Sequence, residues 1–528
     1  RRGGPAREST GPGTTADPRD ALHGGTAVEH AVAPGWPVAL SAASSGGSRS
    51  PGREAMIPHR RPSPEYNPFR IHPRLPATAD PMMMRGGMII DPVRGPSPHP
   101  ADLEDAMAVP PHDTSHGYDP RGPVFISYRH SDGKKIADRL ADLLRAAGLP
   151  VWIDESDLTT GRFEDRIRQA MGRGLSGGVL VLTPDVTKSG TIKKVEAPGL
   201  LDLVEVPEFS MSAVNAASDG WTGLDSLLDA EEGTLERIKQ FRATPDGLTE
   251  QVMKELVTAY VKDHVAALAV GATAFELNIE TRVGPPSPAR AEHHLDILLR
   301  QPHDGEVISR QGLEDLGMTL GIVHDVIASS RTSLLRVSGR PHLSVAFAMG
   351  AQFPRPLVDR AEVIDSGDRV WPSGDSVPRT GLVNRVRQNK KDLPTADEVA
   401  VYVDLIGPGN DGPFDESVAH RPAGLAAWAH LRIPDECFDH NGLFAPELGQ
   451  RIAEETAEEI RALSYNHDRA RVHLFLRCPF PVAFLIGRLV NTLTLTVHEY
   501  AKSTGRYIPA LTVDTSRSGN VIKEVLAP

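Results

Sequence analysis

The segment "PVFISYRHSDGKKIADRLADLLRAAGLPVWID" (123–154) contains both secondary-structure periods that decide the fold. "PVFISYR" (123–129) is a short strand-like run. "DGKKIADRLADLLRAAG" (132–148) then sets Ile136, Leu140, Leu143, Leu144 and Ala147 on one helical face, with Gly148 as the stop. "PVWID" is the next strand. Downstream, "TTGRFEDRIRQAMGRG" (159–174) repeats the helical period through Phe163, Ile167 and Met171, and "GGVLVLTP" (177–184) is a fully apolar strand. Continuous apolar strands separated by amphipathic helices predict an α/β unit with a parallel sheet covered on both faces. In such sheets ligands gather beyond the carboxyl ends of the strands. "TKSGTIKKVEAP" (187–198) follows the third strand, so its one carboxylate, Glu196, falls at or near that edge.

The rest of the 528 residues bounds the alternatives. Residues 1–120 hold 20 of the 45 prolines and show no sustained period. Such a segment cannot bury enough apolar surface to offset its ordering entropy, and it is expected to be a disordered extension. The chain begins with Arg, consistent with a fragment or a mis-set translation start, Met107 being an alternative beginning. Two cysteines, Cys437 and Cys478, cannot build a disulfide framework and suit a reducing cytoplasm. The longest apolar runs, such as 265–275 and 479–487, are far short of a membrane span. A net charge of −12 argues against a general nucleic-acid coat and leaves room for one basic pocket. No metal ligand set stands out.

After the first unit (121–232), "TLERIKQFRATPDGLTEQVMKELVTAYVKDHVAALAV" (234–270) reads as helical, giving a connector over 233–272. The remainder, 273–528, contains an internal repeat. "RPHLSVAFAMG" (340–350) and "RCPFPVAFLIG" (477–487) share Arg, Val, Ala, Phe and Gly in register, and a strand runs into each Arg. Upstream, "AFELNIETR" (274–282) corresponds to "EVAVYVDLIGPG" (398–409), each followed by a long helix, near 308–329 and 447–463. Two similar β-α-β-α halves, about 273–370 and 395–528, are the expectation.

The first unit resembles a TIR domain. "VFISYRHSD" is similar to the first TIR box, "GLPVWIDESDLTTG" to the second strand and its loop from Asp154 to Gly161, and "VLVLTPDVTKSGTIKKVEAP" to the strand, loop and Glu-bearing helix of bacterial members. The resemblance implies a flavodoxin-like fold and, for many bacterial members, cleavage of the nicotinamide–ribose bond of NAD+, with Glu196 at the catalytic position. One carboxylate beside the ribose suffices chemically, because nicotinamide leaves as a neutral molecule while positive charge grows on the sugar. Phe125, Arg129, Trp152 and Ser189 are the candidate NAD-binding residues. Where many members carry a Trp shortly before the glutamate, this chain has Thr191 and Ile192. A non-catalytic interaction module is the alternative. The tail "TSRSGNVIKEVLAP" (515–528) imitates the Glu196 stretch in composition but has an apolar residue in place of the carboxylate.

The second region resembles a SAVED domain, two fused Rossmann-like (CARF-like) halves found in prokaryotic antiviral signalling. The carrying residues are "RVHLFLRCPFPVAFLIGRLVN" (471–491) with the later "VHEY" (497–500), supported by "IETR" (279–282) and "GRPHLSVAFAMGAQF" (339–353). The resemblance implies recognition of a cyclic oligonucleotide made by a partner synthase. Candidate contacts are Arg282, Ser338, Gly339 and Arg340 in one half and Arg477, Cys478 and Pro479 in the other, with backbone N–H groups at helix starts near Leu343 and Val482 aimed at phosphates and the basic run 385–391 nearby. A cytoplasmic TIR–SAVED effector of cyclic-oligonucleotide antiphage (CBASS) defence is the combined expectation. Cyclic tri-adenylate would be the activating ligand, NAD+ the substrate without a prosthetic group, and head-to-tail filaments the active assembly. Loops such as 154–161 would complete NAD sites across the contacts.

Overall fold

Leu140, Leu143 and Leu144 on one stripe, with Lys134 and Asp138 on the other, make helix α1 (Lys134–Ala146) amphipathic, and its apolar stripe is fully buried. Gly148 ends it at φ +98°, and a Cβ there would lie 2.6 Å from Leu295. The computed structural model describes residues 117–153, 168–169, 171–216, 237–244, 247–282, 290–300, 306–374, 380–390, 397–421, 424–517 and 519–528. The expectations for the N-terminal extension, for Asp154 to Gly161, and for Phe163 and Ile167 fall outside these residues.

The first sheet contains β1 (Val124–Ser127), β2 (Val151–Ile153), β3 (Gly177–Leu182), β4 (Ser210–Asn215) and β5 (Lys239–Arg242), in the order 2-1-3-4-5 and parallel throughout. This is the flavodoxin-like arrangement. Its faces belong to different cores. Val124, Ile126, Val151 and Val179 join α1 in a core that continues into the C-terminal region. Phe125, Leu180 and Leu182 pack on the opposite face under Ile192 and Val195. One boundary differs from the sequence reading, because Lys239–Arg242 is the fifth strand and not helix. The helical period of 234–241 is carried by few apolar residues, and pairing Phe241 with Val214 buries it at the sheet edge. Helix α2 (Ala197–Asp202) follows Glu196, and α3 (Glu250–Leu268), with Thr249 accepting from the Val252 N–H, leads out of the unit.

Two further sheets repeat one plan. The first has β6 (Phe275–Glu280), β7 (Leu295–Leu298), α4 (Arg310–Ser330), β8 (Leu334–Arg340), α5 (Leu343–Gln352), β9 (Arg360–Ile364) and β10 (Val370–Pro372), with sheet order 10-9-8-6-7. The edge strand β11 (Asn384–Lys390) opens the second. It continues with β12 (Glu398–Asp404), α6 (Gly412–Ala419), β13 (Ala427–Arg432), α7 (Gly449–Tyr465), β14 (Arg471–Arg477), α8 (Phe480–Leu489), β15 (Thr494–Ala501), β16 (Arg506–Asp514) and β17 (Ile522–Val525). Its order, 11-13-12-14-15-16-17, keeps the parallel core 13-12-14-15 that matches 7-6-8-9.

The halves meet where their repeated sequence meets. A Cβ on Gly350 would lie 1.9 Å from the Phe484 carbonyl oxygen, and one on Gly487 would lie 2.2 Å from that of Phe347. Gly350 and Gly487 are equivalent in the repeat, as are Phe347 and Phe484, so α5 and α8 cross about a local two-fold axis. Only glycine permits this approach.

The flavodoxin-like unit is welded to the first of these halves. The Asp296 N–H donates to the Gly148 carbonyl at 2.8 Å, and the Thr319 hydroxyl donates to the Ala146 carbonyl at 3.1 Å. Asp315, buried on α4, accepts from Arg139 of α1 and from Arg300 at 2.8 Å, and Arg300 also reaches Asp142 at 2.9 Å. Among the described residues no helix is long and apolar enough to cross a membrane.

Candidate functional site

β1 is flanked by β2 and β3, so the chain reverses its direction of travel across the sheet there, opening a crevice at the carboxyl edge. Ser127 is the last residue of β1 and shares a face with Phe125. Its hydroxyl donates to Glu196 Oε2 at 2.6 Å, with Ser127 only 2% and Glu196 only 6% exposed. The helix that delivers Glu196 runs from 190 to 202 and widens to a π turn over Ile192–Glu196. Pro198 supplies the cause: it has no N–H for the Lys194 carbonyl, and its ring crowds that oxygen. The wider turn rotates Glu196 inward to β1. π turns of this kind recur at functional sites.

Ser189 stands before this helix and accepts from the Ile192 N–H at 3.3 Å, capping its first turn. Phe125, 1% exposed, lies in the core with Trp152 stacked on it at 4.3 Å between ring centroids. Trp152, half-buried, is therefore the ring of the pair that reaches the surface. Ile192, in the segment where a Trp was expected from the resemblance, is 2% exposed and fills this same core. Arg129, half-buried, follows β1, and among the described residues its Nε has no hydrogen-bond partner. The loops after β1 and β3 are clipped together. Asp132 accepts from the Thr183 hydroxyl at 2.7 Å and from the Asp185 N–H at 2.9 Å. The Lys188 ammonium, hydrogen-bonded to Asp185, holds that carboxyl below its ordinary pKa. These contacts tie together the loops at the carboxyl edge of β1 and β3.

In the C-terminal region a cavity of about 560 Å³ opens between the two halves. Arg282 and Leu343 come from the first half, and Arg477, Cys478, Tyr500 and Lys502 from the second. It thus gathers Arg282, Arg477 and Cys478 from the sequence candidates. Arg477 is anchored beneath by donating to Asp404 Oδ1 and to the Ile406 carbonyl, each at 2.5 Å. Burial pushes the Cys478 thiol far up, which leaves it a neutral packing group.

Four candidates lie elsewhere. Arg340 pairs with Glu280 on the neighbouring strand at 3.3 Å, Ser338 reaches Asn278 and His293, and Gly339 takes φ +111° over the Ile279 carbonyl. Pro479 is the cap residue of α8. The basic run is also engaged, with Arg385 on Glu459 and Arg387 on Asp411 and Asp415. The expected phosphate sites at helix starts differ too. The Ser344 N–H at the start of α5 is already bound by Glu499 Oε1 at 2.6 Å, and Pro479 and Pro481 leave the start of α8 short of donors.

Sequence reasoning overlooked Glu499, Tyr500, Tyr402 and Tyr507, all of which line the cavity. The "VHEY" stretch held two of them, but its reading needed the partner strand order. Asp404, Asp411 and His430 also converge, yet Arg477 and Arg432 occupy both Asp404 oxygens, an arrangement that disfavours a cation.

The comparisons with known proteins follow this division. The TIR domain family profile matches residues 124–199. The SAVED profile, described as "SMODS-associated and fused to various effectors sensor domain", matches residues 320–513. The NAD(+) hydrolase PdTIR of Paracoccus denitrificans is 32% identical over 111 residues, 20% of this chain, which spans about a third (32%) of that relative's length. Among solved structures, the Acinetobacter baumannii Cap4 SAVED/CARF-domain containing receptor with the cyclic trinucleotide 2'3'3'-cAAA aligns at 13% identity and TM-score 0.38, covering 73% of this chain and 98% of that one. The Moraxella osloensis Cap4 receptor aligns at 14% identity and TM-score 0.35, covering 73% and 98%. The chain is a fusion of a TIR domain and a SAVED domain.

Proposed function

We propose that the chain is an NAD+ glycohydrolase switched by a cyclic oligonucleotide. The observation that carries the reading is the buried Ser127–Glu196 pair at the switch crevice of a 2-1-3-4-5 sheet. A carboxylate held there by a hydroxyl donor keeps a fixed orientation beside the crevice in which a ribose would sit. As the nicotinamide–ribose bond breaks, its electrons leave with nicotinamide, and Glu196 stabilises the positive charge left on the sugar. Water then adds to that carbon, giving ADP-ribose and a proton. Trp152 and Arg129 border the crevice, suited to stacking and to phosphate charge. The 32% identity to an NAD(+) hydrolase supports the same chemistry.

The cavity between the SAVED halves is the ligand site in this reading. Its 560 Å³ and its Arg282, Arg477 and Lys502 cations suit a compact polyanion with several phosphates, and its tyrosines offer ring faces to bases. A cyclic trinucleotide, cyclic tri-adenylate first among them, is the ligand in this reading. Binding drives self-association, TIR domains complete one another's sites, and NAD+ depletion serves antiphage defence alongside a nucleotide synthase. The experiment is NAD+ consumption by the purified full chain with and without a panel of cyclic oligonucleotides, beside Glu196→Gln. Turnover that appears with one ligand and vanishes in Glu196→Gln is expected. No turnover under any ligand reduces the TIR domain to an interaction module, and turnover indifferent to Glu196→Gln removes Glu196 from the chemistry.

A further inference from the structure

A second cavity, about 470 Å³, lies at the other end of the same sheet face. Arg471, His473, Phe475 and Arg477 alternate onto one face of β14, and register with β12 puts Asp404 opposite Arg477 and Ala400 opposite His473. Arg477 belongs to the cavity between the halves, whereas Arg471, His473 and Phe475 line the second one. Six residues of strand put the two ends about 20 Å apart. The amino ends of parallel strands are not where such sheets usually collect ligands, so the polar groups there need another reason.

Those groups are unusual in their balance. The Arg421 guanidinium lies 2.7 Å from His473 Nε2 and 2.6 Å from Nδ1, and 3.0 Å from Glu398 Oε2. Glu398 also faces His473 at 3.1 Å and Arg471 at 3.8 Å. Two guanidiniums and an imidazole therefore share one carboxylate. Arg506, on the rim, is already paired with Glu416 at 2.5 Å. His473 Nδ1 stands 3.1 Å from His498 Nε2, and His498, only 5% exposed, has no hydrogen-bond partner at Nδ1 among the described residues. Burial and the neighbouring Arg421 keep His473 neutral, its pKa lowered to about 4. Around Arg421 and Arg471 the guanidiniums thus outnumber the one carboxylate of Glu398, while Glu416 answers Arg506 and Glu524 lines the cavity from β17, three strands away from His473.

The geometry points to a binding site for a small organic oxyanion, a phosphate ester or carboxylate whose charged end sits on Arg421 and Arg471. A cation is disfavoured because Arg421 stands over the His473 nitrogens. An inorganic ion alone leaves most of 470 Å³ unfilled, whereas Phe475, Tyr507, Pro509 and Leu526 form an apolar wall for an organic body. The site does not depend on the proposed NAD+ chemistry, and Tyr507 is the lining residue it shares with the cavity between the halves.

The test is isothermal titration of the full chain with ribose 5-phosphate, with ribonate as a carboxylate of similar size, and with neutral ribose. Saturable binding of one or both anions is expected, with none for ribose. Affinity should fall at least tenfold in Arg421→Met and in Arg471→Met and stay within twofold in Arg477→Met. Arg471 is half exposed, so its variant reports even if Arg421→Met fails to fold. Preference between the two anions identifies the charged group. The proposal is overturned by absence of binding at 20 mM, by equal binding of ribose, or by loss in Arg477→Met with retention in Arg471→Met.

Discussion

Replacing Ser127 by Ala removes a single hydroxyl and leaves Glu196 in place. The lost bond is short, 2.6 Å, and both partners are almost sealed from solvent, so water cannot readily substitute for it. A hydrogen bond to an ionised group contributes about 1.5–3 kcal/mol. If Glu196 must hold its orientation only as charge builds on the ribose, that energy appears in kcat, and at 1.36 kcal/mol per decade it corresponds to roughly 10- to 150-fold. KM for NAD+ should change little. Nicotinamide release at saturating NAD+, in the presence of whichever cyclic oligonucleotide activates the wild type, measures the effect. Ser127→Thr, which keeps the hydroxyl on a strand that accepts β-branched residues, should recover most of the rate. Glu196→Gln sets the floor. Ser127→Ala within twofold of wild type while Glu196→Gln is inactive would refute the positioning argument. Equal impairment of the Ala and Thr variants would attribute the effect to packing rather than to the hydroxyl.

Three other outcomes follow from the packing. Gly350→Ala puts a Cβ 1.9 Å from the Phe484 carbonyl, so α5 and α8 must separate; denaturant melts should show a loss of about 3 kcal/mol, the upper end for overpacking, and Gly487→Ala should behave alike. Asp315→Asn strips the buried carboxylate shared by Arg139 and Arg300. Because both arginines reach solvent, the expected loss is about 2 kcal/mol, below that for a fully buried pair, with limited proteolysis faster at the junction of the domains. His264 is buried, neither ring nitrogen has a hydrogen-bond partner among the described residues, and burial lowers its pKa to about 4. The unfolded chain then binds the extra proton, so stability falls as pH drops from about 6.5 to 4, by about 1.4 kcal/mol per unit, and His264→Leu should remove that slope from acid melts.

How much of this was legible depended on distance along the chain. The strands β1 and β3 and the helix α1 declare themselves because every apolar position serves the same local period. The paired halves were visible because Arg340 to Gly350 and Arg477 to Gly487 repeat the same crossing surface; the reason for the glycines, backbone against backbone, appeared only in three dimensions. The fifth strand was hidden because only Phe241 of "KQFR" is buried, too little to outweigh a continuing helical pattern. Glu499 could not be read as the cap of α5, since 155 residues separate it from Ser344. The look-alike tail makes the same point. "IKEV" at 522–525 is an antiparallel edge strand, whereas "IKKVE" at 192–196 is a π turn, and Pro198 two residues after Glu196 accounts for the turn.

The two faces of the TIR sheet constrain how a signal could reach Glu196. Val124, Ile126 and Tyr128 share one continuous core with α1, α4 and the SAVED halves, while Phe125, Ile192 and Val195 form a separate core around the Glu196 helix. The sensor therefore grips the sheet from the face opposite the carboxylate. The grip is broad: backbone-directed hydrogen bonds at Arg121, Ala146 and Gly148, the Asp315 ion pairs, and apolar packing along α1. A ligand between the SAVED halves would have to break these to swing the TIR domain on a hinge, and its binding would have to supply that cost. A rigid arm instead transmits position. In the proposed reading, a ligand that favours contact between chains would carry each TIR domain with it and bring a neighbour to the switch-point crevice without altering the interior. On this account Asp315→Asn weakens the response to ligand more than it weakens NAD+ turnover once assembly is forced by high protein concentration, a split that an internal hinge would reverse.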